Sequence, residues 1–84
     1  MTLTWSSSSW SDYLYWQKVD AKKVKRINEL HKSCTRTPFE GIGKPERLIG
    51  DLQGYWSRRI DSEHRLVYKY KNEELFIAAC RYHY

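Results

Sequence analysis

The chain has 84 residues, enough for one domain (residues 1–84) and too few for two. Lys and Arg outnumber Asp and Glu by 15 to 10, so the formal net charge is +5, a balance that favours nucleic acid, an acidic membrane surface or an acidic protein as partner. No apolar run approaches transmembrane length, Met1 is not followed by a basic and then a long apolar segment, and Cys34 and Cys80 form neither a disulfide framework nor a metal-ligand spacing. These absences lead to the expectation of a cytosolic protein with both thiols free, no membrane association and no cofactor.

Residues 2–5 alternate Thr, Leu, Thr, Trp, the pattern of a short strand. Ser6, Ser7, Ser8 and Ser9 then offer N-cap hydroxyls for a helix in which Trp10, Tyr13, Leu14 and Gln17 recur at helical spacing. Asp20 is placed to cap a second helix. Its apolar stripe reads Val24, Ile27, Leu30 or His31, and Cys34, with Lys22, Lys23, Lys25, Arg26 and Lys32 over much of the remainder. That basic face suits either a solvated helix surface or a nonspecific contact with structured RNA. Thr37-Pro38 ends the helical pattern, because the residue before proline is pushed out of the α region. Residues 39–52 carry Gly41, Gly43, Pro45 and Gly50 and read as one long irregular connection, holding Lys44, Glu46 and Arg47.

Three strand-like runs complete the chain, over residues 55–60, 64–70 and 75–84, separated by the turn clusters 61–63 and 71–74. Alternation puts Leu75, Ile77, Ala79, Arg81 and His83 on one face of the last run. Odd loop lengths at both turns would gather Arg59, Arg65, Arg81 and His83 on one face; even lengths would scatter them. Neither turn carries the Asn-Gly or Asp-Gly pair that fixes register. In the odd register Arg59 and Arg65 are near cross-strand neighbours, an unfavourable pairing unless an anion lies between them, and guanidinium forks suit phosphate. The alternative is a solvated polar face with the arginines paired to Glu63, Glu73 or Glu74.

The chemical inventory lacks a Ser-His-Asp or Cys-His arrangement, a glycine-rich phosphate loop and a metal-ligand cluster. A glutamate, a histidine and arginines suffice for metal-independent RNA cleavage. One group takes the proton from a ribose 2′-OH, another protonates the departing 5′ oxygen, and arginine stabilises the charge on phosphorus.

Several ordered segments carry a more specific signal. They are Trp5 and Trp10 with Tyr13-Leu14-Tyr15-Trp16, Ile27-Asn28-Glu29-Leu30, Thr37-Pro38-Phe39-Glu40-Gly41, Gly43-Lys44-Pro45-Glu46, Trp56-Ser57-Arg58-Arg59-Ile60, Glu63-His64-Arg65-Leu66-Val67-Tyr68 and Ala78-Ala79-Cys80-Arg81-Tyr82-His83-Tyr84. In order and at these spacings the chain closely resembles the YoeB toxins, within the RelE superfamily of type II toxin–antitoxin systems. The resemblance implies an α+β fold of order β-α-α-β-β-β, two N-terminal helices on a curved, mainly antiparallel four-stranded sheet. It implies a ribosome-dependent mRNA endoribonuclease that cuts translated mRNA in the A site and inhibits translation. By the same resemblance Glu46 matches the general base, His83 the general acid, Arg65 the arginine that stabilises the transition state, Arg59 a phosphate contact and Tyr84 the aromatic that positions the substrate. Lys44 and Arg81 add charge nearby. Ile49 departs from the pattern, standing where a close relative is expected to carry a basic residue.

The partners implied are mRNA in the A site, the 70S ribosome and its RNA, an acidic antitoxin of the YefM type, a second copy of the chain, and operator DNA reached indirectly through the antitoxin. Two other functions fit the same fold: a noncatalytic RNA- or ribosome-binding module, and a DNA-bound repressor partner without toxicity.

Overall fold

The computed structural model describes residues 1–82, so His83 and Tyr84 lie outside the described residues. Strand β1 (Thr2–Trp5) leads into helices α1 (Ser7–Val19) and α2 (Ala21–Arg36), and β2 (Glu46–Arg47), β3 (Trp56–Arg59), β4 (Arg65–Lys71) and β5 (Glu74–Ala79) follow. The strands form one sheet ordered β1-β5-β4-β3-β2, antiparallel except for the parallel β1–β5 pair at one edge. The α+β architecture agrees with the sequence reading, with five strands where four were expected. The added strand is β2, inside the segment read as irregular. Two charged residues carry no alternating pattern, and only their backbone pairing with β3 makes them a strand.

Both helices start on side-chain caps. The Ser6 hydroxyl accepts from the Ser9 amide at 3.0 Å. Asp20 serves twice: its own N–H donates to the Trp16 carbonyl and closes α1, while its carboxylate accepts from the Lys22 amide and opens α2. The two helices therefore meet at a one-residue joint. In α2 the expected stripe is the buried one, with Ile27, Leu30 and Cys34 inaccessible and Val24 packed against them. His31 flanks that stripe, its ring stacked 6.2 Å from Trp5, and burial lowers its pKa.

Helix α1 corrects the sequence reading. Trp10, Leu14 and Gln17 are exposed, and the buried positions are Ser9 and Trp16, with Tyr13 partly covered. Apolar residues occur on every side of this helix, so spacing alone does not choose a face. Polar bonding chooses it instead. The Ser9 hydroxyl donates to the Ile77 carbonyl at 2.7 Å, the Trp16 indole donates to the Cys80 carbonyl at 2.8 Å, and Asp12 accepts from the Cys80 amide at 3.1 Å. These bonds fasten α1 to the end of β5.

The third C-terminal strand stops at Ala79 rather than running on to residue 84. Its register also departs from simple alternation. The β3–β4 loop is odd, residues 60–64, whereas the β4–β5 turn has two residues, Asn72 and Glu73, both with positive φ (53° and 60°). Such a turn matches the twist of the hairpin and is the even case. A bulge then compensates: Tyr68 pairs with Ile77 but Val67 pairs with Ala79, so Ala78 is extra. Leu75 and Ile77 face the helices, while Ala79 moves to the opposite face beside Val67, off the side on which alternation had placed it. Among the described residues no helix is long and apolar enough to cross a membrane.

Candidate active site

The face of the sheet turned away from the helices carries the charged residues, and its floor is small. Val67 and Ala79 are buried there without joining the main core. Around them the register brings together Glu46 of β2, Ser57 and Arg59 of β3, and Arg65 of β4, because directly opposed residues share a face.

Glu46 reaches this face through backbone bonding that its short strand does not advertise. The Arg59 N–H donates to the Gly43 carbonyl at 2.7 Å, and the Leu48 N–H donates to the Tyr55 carbonyl at 2.9 Å, so residues 43–48 run along the edge of β3. Gly43 permits the approach. A Cβ there would meet Leu30 Cδ2 at 2.5 Å, and its φ of +83° is one that side-chain-bearing residues avoid. On the inner side Arg58 holds the preceding loop. Its guanidinium donates to the carbonyls of Thr37, Glu40 and Ile42 at 2.6 to 3.2 Å, to the Ser33 hydroxyl at 2.7 Å and to the Tyr68 hydroxyl at 3.0 Å. Burial pushes the Tyr68 hydroxyl up to about 12, its bond from Arg58 opposing that rise.

Arg59 and Arg65 are paired directly. The neighbouring pair, Ile60 and His64, is joined by the Ile60 N–H donating to the His64 carbonyl at 2.9 Å. Arg59 and Arg65 thus form the pair type that lacks mutual backbone bonds and brings side chains closest. Two like charges so placed repel. Arg65 finds partial relief in the Ser57 hydroxyl, 3.0 Å from Nη1, and the Glu46 carboxylate, 3.5 Å from the same nitrogen. Among the described residues Arg59 has no acidic partner within 4.0 Å. The acids proposed as alternative partners lie elsewhere: Glu63 stands 3.5 Å from His64, Glu73 lies in the β4–β5 turn, and Glu74 accepts from the Thr4 hydroxyl at 2.7 Å. The result is an exposed Arg59 paired across the strands with a half-buried Arg65 that has a carboxylate at its side, two like charges whose repulsion an anion would relieve.

Of the other sequence-predicted residues, Lys44 is exposed with a positive φ of 52°, two residues before Glu46. Arg81 is not among the residues that gather here. Because β5 ends at Ala79 and the chain turns, its guanidinium lies 3.6 Å over the ring of Tyr15 on α1 and 4.7 Å from that of Tyr82. His83 and Tyr84 fall outside the described residues. Ile49 is 86% exposed, at the start of the turn that follows β2, and lines a groove of about 340 Å³ together with Glu46, Arg47, Leu48 and Leu52.

Two residues with structural consequences for this face escaped the sequence reading. Ser57 gave one signal: it precedes Arg59 by two positions on a strand and must share its side. His64 gave only its adjacency to Arg65. Its ring is buried against Trp16, centroids 4.8 Å apart, and its Nδ1 accepts from the Tyr82 amide at 2.8 Å. Cys34 and Cys80 are free and buried, and desolvation raises their thiols to about 11 and about 12, which leaves them protonated at neutral pH.

Comparison with known proteins follows the same outline. A family model described as the YoeB-like toxin of bacterial type II toxin–antitoxin systems matches residues 5–84. The toxin YoeB of Escherichia coli K12 is 63% identical over 84 residues, covering all of both chains. Among solved structures, the YoeB/ParE toxin from Agrobacterium tumefaciens is 52% identical and superposes with a TM-score of 0.96 over the full length of both. The Staphylococcus aureus toxin, solved in a YoeB–YefM complex and as a YoeB dimer, is 50% and 52% identical in the two structures. It gives TM-scores of 0.92 and 0.93, over 100% of this chain and 98% of that one.

Proposed function

The chain belongs to the YoeB-like toxins of type II toxin–antitoxin systems and has their RelE-like α+β fold, and from that premise we propose that it is a ribosome-dependent endoribonuclease that cuts translated mRNA in the A site. The observation that carries the proposal is the directly paired Arg59 and Arg65 with Glu46 at 3.5 Å from Arg65, all on the open face of the sheet.

The reaction needs no group beyond the chain and its RNA. Glu46 takes the proton from a ribose 2′-OH, and the freed oxygen attacks the adjacent phosphorus. Arg65 and Arg59 hold the non-bridging oxygens, on which charge grows as phosphorus becomes five-coordinate. The bond from phosphorus to the 5′ oxygen breaks, that oxygen takes a proton from His83, and the products are a 2′,3′-cyclic phosphate and a 5′-OH. Tyr84 positions the nucleotide, and Lys44 adds positive charge along the RNA path. The basic face of α2 meets ribosomal RNA, with affinity that falls as salt rises. An acidic antitoxin of the YefM type neutralises the toxin and links it to operator DNA, and a second copy of the chain is a further partner. The site of action is the bacterial cytoplasm.

The test is to map mRNA 5′ ends after brief induction, comparing the chain with its Glu46→Ala/His83→Gln double variant. Cuts at a fixed position within translated codons, absent in the variant, are expected. A translation arrest without new 5′ ends in either sample would replace cleavage with simple occupation of the A site.

A further inference from the structure

The end of the described chain is held more firmly than a terminal segment needs to be. Tyr82 has both backbone groups bonded to consecutive residues at the start of β4: its N–H donates to His64 Nδ1 at 2.8 Å, and its carbonyl accepts from the Arg65 N–H at 2.8 Å. Its φ is +64°, a left-handed conformation that costs a side-chain-bearing residue energy and persists only where surrounding contacts enforce it. His64 is the one side chain in this bracket. The imidazole is buried, its plane set edge-on to Trp16 at 76°, and Nε2 lies 3.5 Å from a Glu63 carboxylate oxygen. Because Nδ1 accepts, the arrangement places the ring proton on Nε2.

We propose that His64 is a positioning residue for RNA cleavage, which by holding Tyr82 fixes the point from which the chain goes on to residue 83. The inference rests on the endonuclease reading. Its physical basis is that a general acid and an arginine acting on one phosphate tolerate little error in separation. One bracket ties the segment before residue 83 to the very backbone that carries Arg65. The hydrogen bonds further back, from Ser9, Asp12 and Trp16, end at Cys80; Arg81 then stacks on Tyr15, and the Tyr82 backbone is left to His64 and Arg65.

The test uses three variants of the full chain. His64→Asn keeps an acceptor where Nδ1 stands; His64→Phe and His64→Ala remove it with different changes in volume, so that one remains if the other fails to fold. Tyr82 amide exchange and single-turnover cleavage on mRNA-programmed ribosomes at saturation are measured together with ribosome affinity. Losing the acceptor should speed Tyr82 exchange and slow cleavage, each by about tenfold, with ribosome affinity unchanged, while His64→Asn restores both to within about threefold of the parent. Unaltered cleavage in the acceptor-free variants, or an Asn variant as impaired as they are, would overturn the positioning role while leaving the endonuclease reading intact. A parent chain that cuts no RNA would sink both, a distinguishable result.

Discussion

Arg58 and Arg59 are neighbours on one strand, and alternation gives them opposite fates. Arg58 points to the helix side and is fully buried, every recorded bond going to a carbonyl or hydroxyl and none to a carboxylate. It sits at the end of α2, where unsatisfied carbonyls and the helix dipole present negative charge. Arg59 points to the open side, faces another arginine and is exposed. One cation has its partners built in and the other has them left out. A cation whose donors are already occupied stabilises a fold; one held against a like charge is available to a ligand.

That contrast fails most visibly if Arg58 is the dispensable one. Arg58→Met fills much of the volume but leaves the Ile42 carbonyl without a donor and the Thr37 and Glu40 carbonyls with only their mutual turn bonds, and should cost about 3–5 kcal/mol of unfolding free energy. Urea denaturation checks it, and a loss below about 1 kcal/mol would mean water or neighbours replace the guanidinium. On the opposite face Arg65→Ala should lower single-turnover cleavage by about 100- to 1000-fold with stability nearly unchanged. A defect confined to ribosome binding would reduce Arg65 to an anchor.

The hairpin that carries both open-face arginines is tied to α2 through Asp61, whose carboxylate lies 2.8 Å from Lys23 and accepts from the amides of Glu63 and His64. Burial pulls this carboxyl upward, but the Lys23 bond and the two amides outweigh it and hold it at about 2. A pKa below the unfolded value means stability that is present above about pH 4 and is lost as pH falls through about 2. Asp61→Asn should therefore be about 1–2 kcal/mol less stable than the parent at pH 7, the ion pair being partly screened by solvent. The gap should close between pH 4 and pH 2 in paired urea titrations. A gap that persists at pH 2 would assign the effect to the amide bonds instead of the charge.

What the sequence disclosed follows the same division. The elements with strong periods, α2 and the three C-terminal strands, were legible because buried apolar residues impose them. Helix α1 was legible as a helix, but its face was not: Ser9 is buried through a hydrogen bond to Ile77, while Trp10 stays outside. The strand at Glu46 was hidden because its pairing depends on the Gly43 backbone and not on its own side chains. The grouping of Arg59 with Arg65 was legible as one of two registers. Choosing between them needed the loop length in space, and the phase beyond Ala78 needed a bulge that no residue type announces. The family resemblance supplied roles for His83 and Tyr84, whereas the geometry speaks to Glu46, Arg59 and Arg65.

The smallest expected effect is the sharpest test of the open face. If Arg59 and Arg65 are held in mutual repulsion, removing one charge should relieve it, and Arg59→Gln should be more stable than the parent by about 0.5 kcal/mol at low ionic strength. The sign matters more than the size, since most substitutions destabilise. Inorganic phosphate should then stabilise the parent more than chloride at equal ionic strength, because a ligand that binds only the folded state raises stability with its concentration. The same phosphate should do less for the variant, which has lost half of the fork. Thermal unfolding in the two salts measures both terms. A variant that is less stable than the parent, together with equal responses to phosphate and chloride, would mean that solvent already satisfies Arg59 and that the arginine pair holds no phosphate.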